Sequence, residues 1–281
     1  MGEKKISILE KLGRIDYRVL YFLSVIMMLI PIIRPLGLPV KVSQPVIDFA
    51  KAIDELPEGA VVVWQQAGGG ATYDEIRPAM VATLKTLFKH NVKIVAYGIY
   101  AEGPIILLDA IKRANPEAYG KKYGIDYVVF GFVAGEESAQ ASFAADIWKT
   151  VHADYYGTPI DQIPLMKDVR NHEDVALIID VYTSCYGIEW SVRQWYVTHG
   201  VPILAITMAC CGPMTAPYYP KPVLGYLSGT EGAAELEIIE KIPGEGASIS
   251  DAKNLGLIPL IIFIILGNIA YIASKVRGEE K

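Results

Sequence analysis

Charged residues and cysteines are both scarce in this sequence. Asp, Glu, Lys and Arg make up 20% of its 281 residues, against 52% hydrophobic residues, whereas a soluble globular chain is about 25% charged. The shortage of charge excludes a disordered chain and indicates that part of the protein lies in lipid. Three cysteines are too few for a disulfide framework. The formal net charge of −5 argues against a nucleic-acid partner.

Two stretches have no charge at all. Residues 255–274 run for twenty residues without a charged side chain, and residues 19–33 run for fifteen. A bilayer core takes about 20 helical residues, so we expect one transmembrane helix at 19–36 and a second at 255–274. A buried core helix is the alternative for either stretch. A cleaved signal peptide is a further alternative for the first, but no small-residue cleavage site follows Ile33.

The positive charges predict an orientation. The tails at 1–18 and 275–281 carry eight lysines and arginines, whereas the flanks that face the middle of the chain carry three. Basic flanks stay in the cytoplasm, so both tails are expected there and residues 44–243 outside. Cysteines without an obvious pairing would also suit a reducing cytosol. Because the first 34 residues carry a net +3 and the last seven a net +1, residues 35–274 carry −9, and such a domain repels phosphate-rich polymers.

Between the apolar stretches, short apolar runs alternate with helical patterns. Five runs have strand length and are apolar on both faces, which is typical of a parallel sheet covered by helices on both sides. We therefore expect a three-layer, Rossmann-like α/β domain at 44–243 with a mostly parallel five-stranded sheet. The strands are predicted at 60–65, 92–97, 126–133, 175–182 and 202–209, and the helices at 44–56, 73–90, 104–114, 136–152, 189–199 and 232–241. The polar, proline-broken segments 154–174 and 211–229 are predicted as surface excursions.

Polar and small residues follow the predicted strands, where ligands of open parallel sheets bind. Glycines after the first strand offer backbone N–H groups at a helix start, a seat for a carboxylate or oxyanion, and a carboxylate after the second strand offers a base. The candidate ligand-binding residues are Gln66, Gly68, Gly69, Glu102, Glu136, Thr183, Cys185 and Cys210. The alternative is structural: the glycines close a turn, the cysteines fill small buried spaces, and Glu136 stabilises a helix start.

No cofactor, metal or catalytic residue is predicted at this edge. Residues 68–70 lack the G-x-G-x-x-G spacing, and no lysine follows as in a P-loop. Cys210 and Cys211 are adjacent, so they match neither a zinc knuckle nor a C-x-x-C redox motif. Asp180 is unusual, because a carboxylate inside an apolar strand needs a partner or a shifted pKa.

The segments AIDELPEGAVVVWQQAGGGATYDEIRPAM and VKIVAYGIYAEGP, within residues 45–105, resemble the first half of a signal-peptide-peptidase or crotonase-type domain. The resemblance implies a strand, a glycine-rich turn that supplies oxyanion amides, a helix and a second strand, behind one N-terminal anchor. The nucleophilic serine of that family follows the second strand, where this sequence reads AEGP at 101–104, and no matching lysine base is found. The resemblance therefore implies the fold of that family but not its catalytic residues.

Residues 217–237, PYYPKPVLGYLSGTEGAAELE, resemble the C-terminal signature of a family of uncharacterised prokaryotic membrane-anchored proteins. The signature consists of a P-Y-Y segment, a G-x-L-x-G turn and a G-A-A-E-x-E helix start. The run GIDYVVFGFVAGEE and the D-Y-Y-G-T-P segment fit the same pattern. The resemblance implies membership and a membrane anchor, not an activity.

Three functions follow as hypotheses. A membrane-anchored scaffold that self-assembles is the first, because anchors flank the domain, small residues fill 138–145 and no catalytic set is complete. Gly267 and Asn268 are its candidate oligomer contacts, since buried amides pair between helices. The alternatives, both at the carboxyl edge of the sheet, are binding of a small extracytoplasmic ligand and a peptidase-like hydrolase. The expected partners are a second copy of the chain and the bilayer, with no nucleic acid and no cofactor.

Overall fold

The computed structural model describes residues 16–34, 36–38, 40–184, 187–242 and 244–276. The chain divides into two compact units, Val40–Gly246 and the combination of Met1–Pro39 with Ala247–Lys281. The first unit is an α/β domain, and the second holds the apolar helices.

Strands and helices alternate along the Val40–Gly246 unit. Its strands are β1 (Val61–Ala67), β2 (Lys93–Gly98), β3 (Tyr127–Phe132), β4 (Leu177–Tyr182), β5 (Ile203–Thr207) and β6 (Val223–Ser228). The helices, numbered along the whole chain, are α1 (Tyr17–Ile33), α2 (Gln44–Asp54), α3 (Tyr73–Lys89), α4 (Gly103–Ala114), α5 (Glu137–Ala145), α6 (Ile147–Thr150), α7 (Ile188–Ser191), α8 (Gly212–Thr215), α9 (Gly229–Glu240) and α10 (Glu245–Val276). A π-helical segment, Val192–Val197, continues α7.

All six strands are parallel and lie in the order β3-β2-β1-β4-β5-β6. The α/β class and the parallel sheet are confirmed, but the predicted number of five strands is wrong. The sixth strand, β6, lies inside the segment 211–229 that was expected to be a surface excursion. Its short run VLGYLS contains Gly225 and follows Pro220 and Pro222, and glycines and prolines are typical of turns, so the segment has the sequence pattern of a loop.

Apolar side chains fill both sides of the sheet. One core cluster joins the sheet to α2, α3, α4 and α9, with Phe49, Leu87 and Leu236 fully buried. The other joins it to α5, α6 and the helical turns after β4, with Phe143 and Trp195 fully buried. Helices therefore cover both faces, which is the expected three-layer arrangement.

The helix predicted at 136–152 is interrupted at Asp146. The backbone of Asp146 is extended, and its carboxylate accepts a hydrogen bond from the Lys149 N–H at 3.1 Å, which caps α6. Asp competes with the helical backbone for hydrogen bonds and favours caps over helix interiors. The apolar residues of 136–152 keep a helical spacing across this break, so their pattern alone predicts one helix.

The second unit contains α1 and most of α10. Among the described residues, one helical stretch is long and apolar enough to cross a membrane, Glu245–Ile272 within α10. The helix α1 is apolar but has 17 residues, fewer than the roughly 20 that a bilayer core takes. The structure thus provides one candidate membrane helix, over the second predicted span, and the first span stays a prediction.

Polar contacts order parts of this second unit. The carboxylate of Asp251 accepts hydrogen bonds from the N–H groups of Leu36, Gly37 and Leu38 at 3.0, 2.9 and 3.2 Å. Asn268 donates its Nδ2 to the Ile264 carbonyl of its own helix at 2.8 Å. The amide that was predicted to pair between subunits is therefore bonded within α10. Gly267 has open space at its α-carbon, and its predicted oligomer contact stays untested.

Candidate functional site at the carboxyl edge of the sheet

The strand order creates a divide between β1 and β4. The chain leaves β1 for β2 on one side and returns from β3 to β4 on the other side, so the loops after β1 and β4 lead away from each other. Ligands of doubly wound α/β sheets bind in the crevice at this switch point. The loops that border it are residues 68–72 and 183–187, of which Cys185 and Tyr186 lie outside the described residues.

The turn after β1 is built around glycines. The Gly69 N–H donates to Thr183 Oγ1 at 3.3 Å, which joins the β1 and β4 loops, and Thr72 Oγ1 donates to the Gly69 carbonyl at 2.9 Å. A Cβ at Gly68 would lie 2.8 Å from Ile76 Cδ1 and 3.2 Å from Thr183 Cγ2. Only a residue without a side chain leaves these neighbours in place, so the glycine at 68 sets the shape of the turn.

The carboxylate of Glu102 lies over this turn. A Cβ built on Gly69 would lie 2.8 Å from Glu102 Oε1, and one built on Gly70 would lie 2.9 Å from Oε2. Glu102 is exposed and immediately precedes α4. Within the described part of the chain, no hydrogen bond or ion pair reaches its oxygens. The seat that the sequence predicts for an external carboxylate or oxyanion is therefore covered by the protein's own carboxylate.

Gln66 lies beneath the same turn. The sequence places it after the first strand, but the structure places it within β1, with its side chain fully buried. Its Oε1 accepts from Trp64 Nε1 at 3.1 Å, whereas its Nε2 has no partner among the described residues and would lie 3.0 Å from a Cβ on Gly68. A buried donor without a partner costs about 1–3 kcal/mol, and such groups are rare enough to point to an unseen partner.

The predicted residues separate into two groups. Gln66, Gly68, Gly69, Glu102 and Thr183 meet at the switch point. Two others lie at the same edge without a hydrogen bond to that cluster among the described residues. They are Glu136, exposed after β3 with φ of 50°, and Cys210, exposed after β5 with its Sγ 3.7 Å from Cys211 Sγ.

The opposite face of β1 carries a buried polar network. The sequence indicated only one of its members, Asp180. Gln65 Nε2 donates to Asp180 Oδ1 at 2.9 Å, and Gln65 Oε1 accepts from the Tyr97 hydroxyl at 2.6 Å. Ser191 Oγ lies 2.7 Å from Asp180 Oδ2 and 3.1 Å from Gln140 Oε1. The hint in the sequence is Asp180 in its apolar run; Gln65 looks there like the polar end of a strand.

Burial raises the pKa of Asp180 to about 7, although hydrogen bonds from Ser191 and Gln65 oppose the shift. The geometry agrees with a protonated carboxyl. Ser191 has one hydroxyl hydrogen but two acceptors within reach, and a proton on Asp180 Oδ2 frees that hydrogen for Gln140. The pKa of Tyr97 is raised well above its usual range by burial. This network is therefore closed to solvent and separate from the switch point.

Acidic groups predominate at the carboxyl edge. Besides Glu102 and Glu136, Glu75 in the first turn of α3 accepts from the Ala209 N–H at 2.8 Å, across to the loop after β5. The arginines nearby are engaged in ion pairs: Arg77 with Asp74 and Glu245, and Arg193 with Glu137 at 2.7 Å. The edge thus offers uncompensated negative charge.

No protein-family model and no curated protein sequence matches this chain.

Proposed function

We propose that the Val40–Gly246 unit binds a small ligand through an ammonium or similar cationic group at the β1/β4 switch point. The observation that carries the proposal is the position of Glu102, whose carboxylate lies across Gly69 and Gly70 and has no partner among the described residues. A carboxylate held at a ligand crevice favours a cation that also donates hydrogen bonds. An anion at the same place would face like-charge repulsion.

The surroundings of Glu102 support this choice of ligand. Glu75 and Glu136 add negative charge to the same edge, and Arg77 and Arg193 are neutralised by their own partners. Clefts lined by one sign of charge concentrate ligands of the opposite sign. Binding is favoured over hydrolysis, because Glu102 occupies the position after β2 where the peptidase family that residues 45–105 resemble has a nucleophilic serine.

The membrane setting extends the proposal. The helix α10 anchors the chain, the apolar stretch at 19–36 forms a second span, and both tails lie in the cytoplasm. The charge asymmetry of eight basic residues in the tails against three in the inner flanks supports this topology. The ligand would then be an extracytoplasmic amine.

Glu102→Gln tests the site, because it keeps the shape of the side chain and removes its charge. Full-length protein in detergent would be melted with putrescine, lysine and choline, and separately with acetate and phosphate. We expect at least one amine to raise the Tm of the wild type by mass action, with no rise in Glu102→Gln. Glu117→Gln, at an exposed position beyond the other end of α4, is the matched control and should keep the response. The proposal is contradicted if acetate or phosphate raises the Tm of the wild type, or if no amine raises it.

The self-assembling scaffold is the second proposal, and it has weaker support. The small residues that were expected to pack between helices, Ala139 and Ala144, are buried against the sheet of their own domain. Asn268 is bonded within its own helix. A mass measurement in detergent decides the matter: a monomer would remove the scaffold and leave the binding proposal intact.

A further inference from the structure

Three helices end at one place on the amino side of the sheet. Asp54 is the last residue of α2, His90 directly follows α3, and Glu240 is the last residue of α9. The chain enters β2 shortly after His90, so this cluster lies at the amino edge, at the opposite end of the strands from Glu102. The C-terminus of a helix carries a partial negative charge, and three of them reinforce the two carboxylates.

The side chains at these helix ends form a ligand set for a metal ion. One oxygen of Asp54, one oxygen of Glu240 and one ring nitrogen of His90 all lie within 4.8 Å of one another. The side chain of Glu240 is 4% exposed, whereas that of Asp54 is 51% exposed. The set therefore has a buried inner ligand and a half-exposed outer one, with access from solvent.

The imidazole of His90 is not aligned for an ordinary ion pair. Its Nε2 lies 2.9 Å from Asp54 Oδ1, yet this buried atom makes no hydrogen bond of acceptable angle to any described residue. Ion pairing alone would aim the ring N–H at the carboxylate. Neutral imidazole binds a metal ion through a ring nitrogen that no hydrogen bond engages, and among the described residues Nε2 of His90 is such an atom.

Lys89 accounts for the charge of the site without a metal. Its Nζ lies 3.0 Å from Glu240 Oε2, and its side chain is half exposed. The ammonium neutralises a buried carboxylate that would otherwise be costly. Because the lysine reaches in from solvent, it can withdraw when another cation binds.

We propose that Asp54, His90 and Glu240 bind a divalent transition-metal ion of the zinc type, which ties the ends of α2, α3 and α9 together. One imidazole nitrogen and two carboxylate oxygens are common zinc ligands, and three protein ligands leave a fourth position for water. Ligand atoms of a tetrahedral zinc are roughly 3.5 Å apart, so a rotation of the exposed Asp54 side chain completes the site. The proposal is independent of the ligand at Glu102.

The test is a titration of full-length, EDTA-treated protein in detergent with Zn²⁺, followed by calorimetry and by melting. We expect one ion per chain at this site and a rise in Tm. Asp54→Asn, a change at an exposed side chain that leaves folding intact, should weaken Zn²⁺ binding at least tenfold, and His90→Ala should weaken it further. His199→Ala is the control, since His199 stacks on His172 at 3.7 Å and could bind zinc adventitiously; it should leave the affinity unchanged.

Lys89→Met gives a result that an ion-pair network would not give. Without metal, the variant should melt at a lower temperature than the wild type, because Glu240 loses its partner. Zn²⁺ should restore that Tm and bind more tightly than it binds the wild type. Failure of Zn²⁺ to restore it, or equal affinity of the wild type, Asp54→Asn and His90→Ala, would overturn the proposal.

Discussion

Gln65 and Gln66 are neighbours on β1, but their side chains lie on opposite faces of the sheet and have opposite hydrogen bonding. The amide of Gln65 is used at both ends, by Asp180 and by Tyr97. The amide of Gln66 is used at one end only, by Trp64. Since both residues are fully buried, exposure does not explain the difference. The amide of Gln65 therefore supports the fold, whereas the unpartnered Nε2 of Gln66 lies beside the glycine turn of the candidate site, where a partner could bind.

The largest expected effect is a pH dependence that comes from the Gln65 side. The pKa of Asp180 is about 7 in the folded chain and about 3.9 in an unfolded one. Because the folded state holds this proton more tightly, the contribution to stability is complete below pH 4 and is lost as the pH rises towards 7. The total is on the order of 4 kcal/mol.

Asp180→Asn isolates this effect, since the amide keeps the hydrogen bonds and cannot ionise. In denaturant unfolding, the stability of Asp180→Asn should rise relative to that of the wild type between about pH 4 and pH 7. Asp161→Asn, at an exposed position, is the control and should follow the wild type. Parallel curves for Asp180→Asn and the wild type would show that Asp180 ionises normally.

The next effect compares the two glutamines directly. Gln65→Leu leaves Oδ1 of Asp180 and the Tyr97 hydroxyl without the partner that Gln65 supplies, so we expect a loss of about 2–4 kcal/mol in the free energy of unfolding. Gln66→Leu removes a donor that has no partner and strands only Trp64 Nε1, so its loss should be about 1 kcal/mol or less. Equal losses for the two variants would contradict the difference in hydrogen bonding between Gln65 and Gln66.

A smaller effect is expected at the turn itself. Gly69→Ala brings a Cβ against Glu102 Oε1, the end of a flexible side chain that can move aside. The free energy of unfolding should fall by less than about 1 kcal/mol, while the amine-induced rise in Tm should be lost. A variant that keeps the full amine response would show that the position of the Glu102 carboxylate is unimportant.

The smallest effect on stability is expected for Glu102→Gln. The side chain is exposed and unpaired among the described residues, so thermal unfolding without ligand should match the wild type within about 0.5 kcal/mol. A clear destabilisation would instead assign Glu102 a structural role in holding the turn.

Much of the fold was predictable because its physical cause is local in the sequence. Each of the five predicted strands is apolar on both faces, and the parallel sheet and its helical layers follow from that pattern. The strand β6 was not predictable in this way, because Gly225 interrupts its short apolar run and prolines precede it, as in a turn. The break at Asp146 was missed because a cap inside a periodic run looks like a surface residue.

The candidate site was predictable in position and less so in chemistry. The carboxyl edge follows from parallel strands, and it contains Gly68, Gly69, Glu102 and Thr183 together. That Glu102 covers the glycines depends on the path of the chain after β2, which no spacing reveals. The cluster of Asp54, His90 and Glu240 joins residues far apart in sequence through the ends of three helices, so it has no motif to find.

The close approach of α2 and β6 has a consequence for how the chain is made. A Cβ on Gly225 would overlap the backbone of Phe49, so α2, which precedes the whole sheet, rests on the last strand to be synthesised. At about 5–20 residues per second, the ribosome needs roughly 10–35 seconds to proceed from Phe49 to Gly225. During that interval the apolar side of α2 lacks its native cover, so this domain closes only when its final strand has emerged.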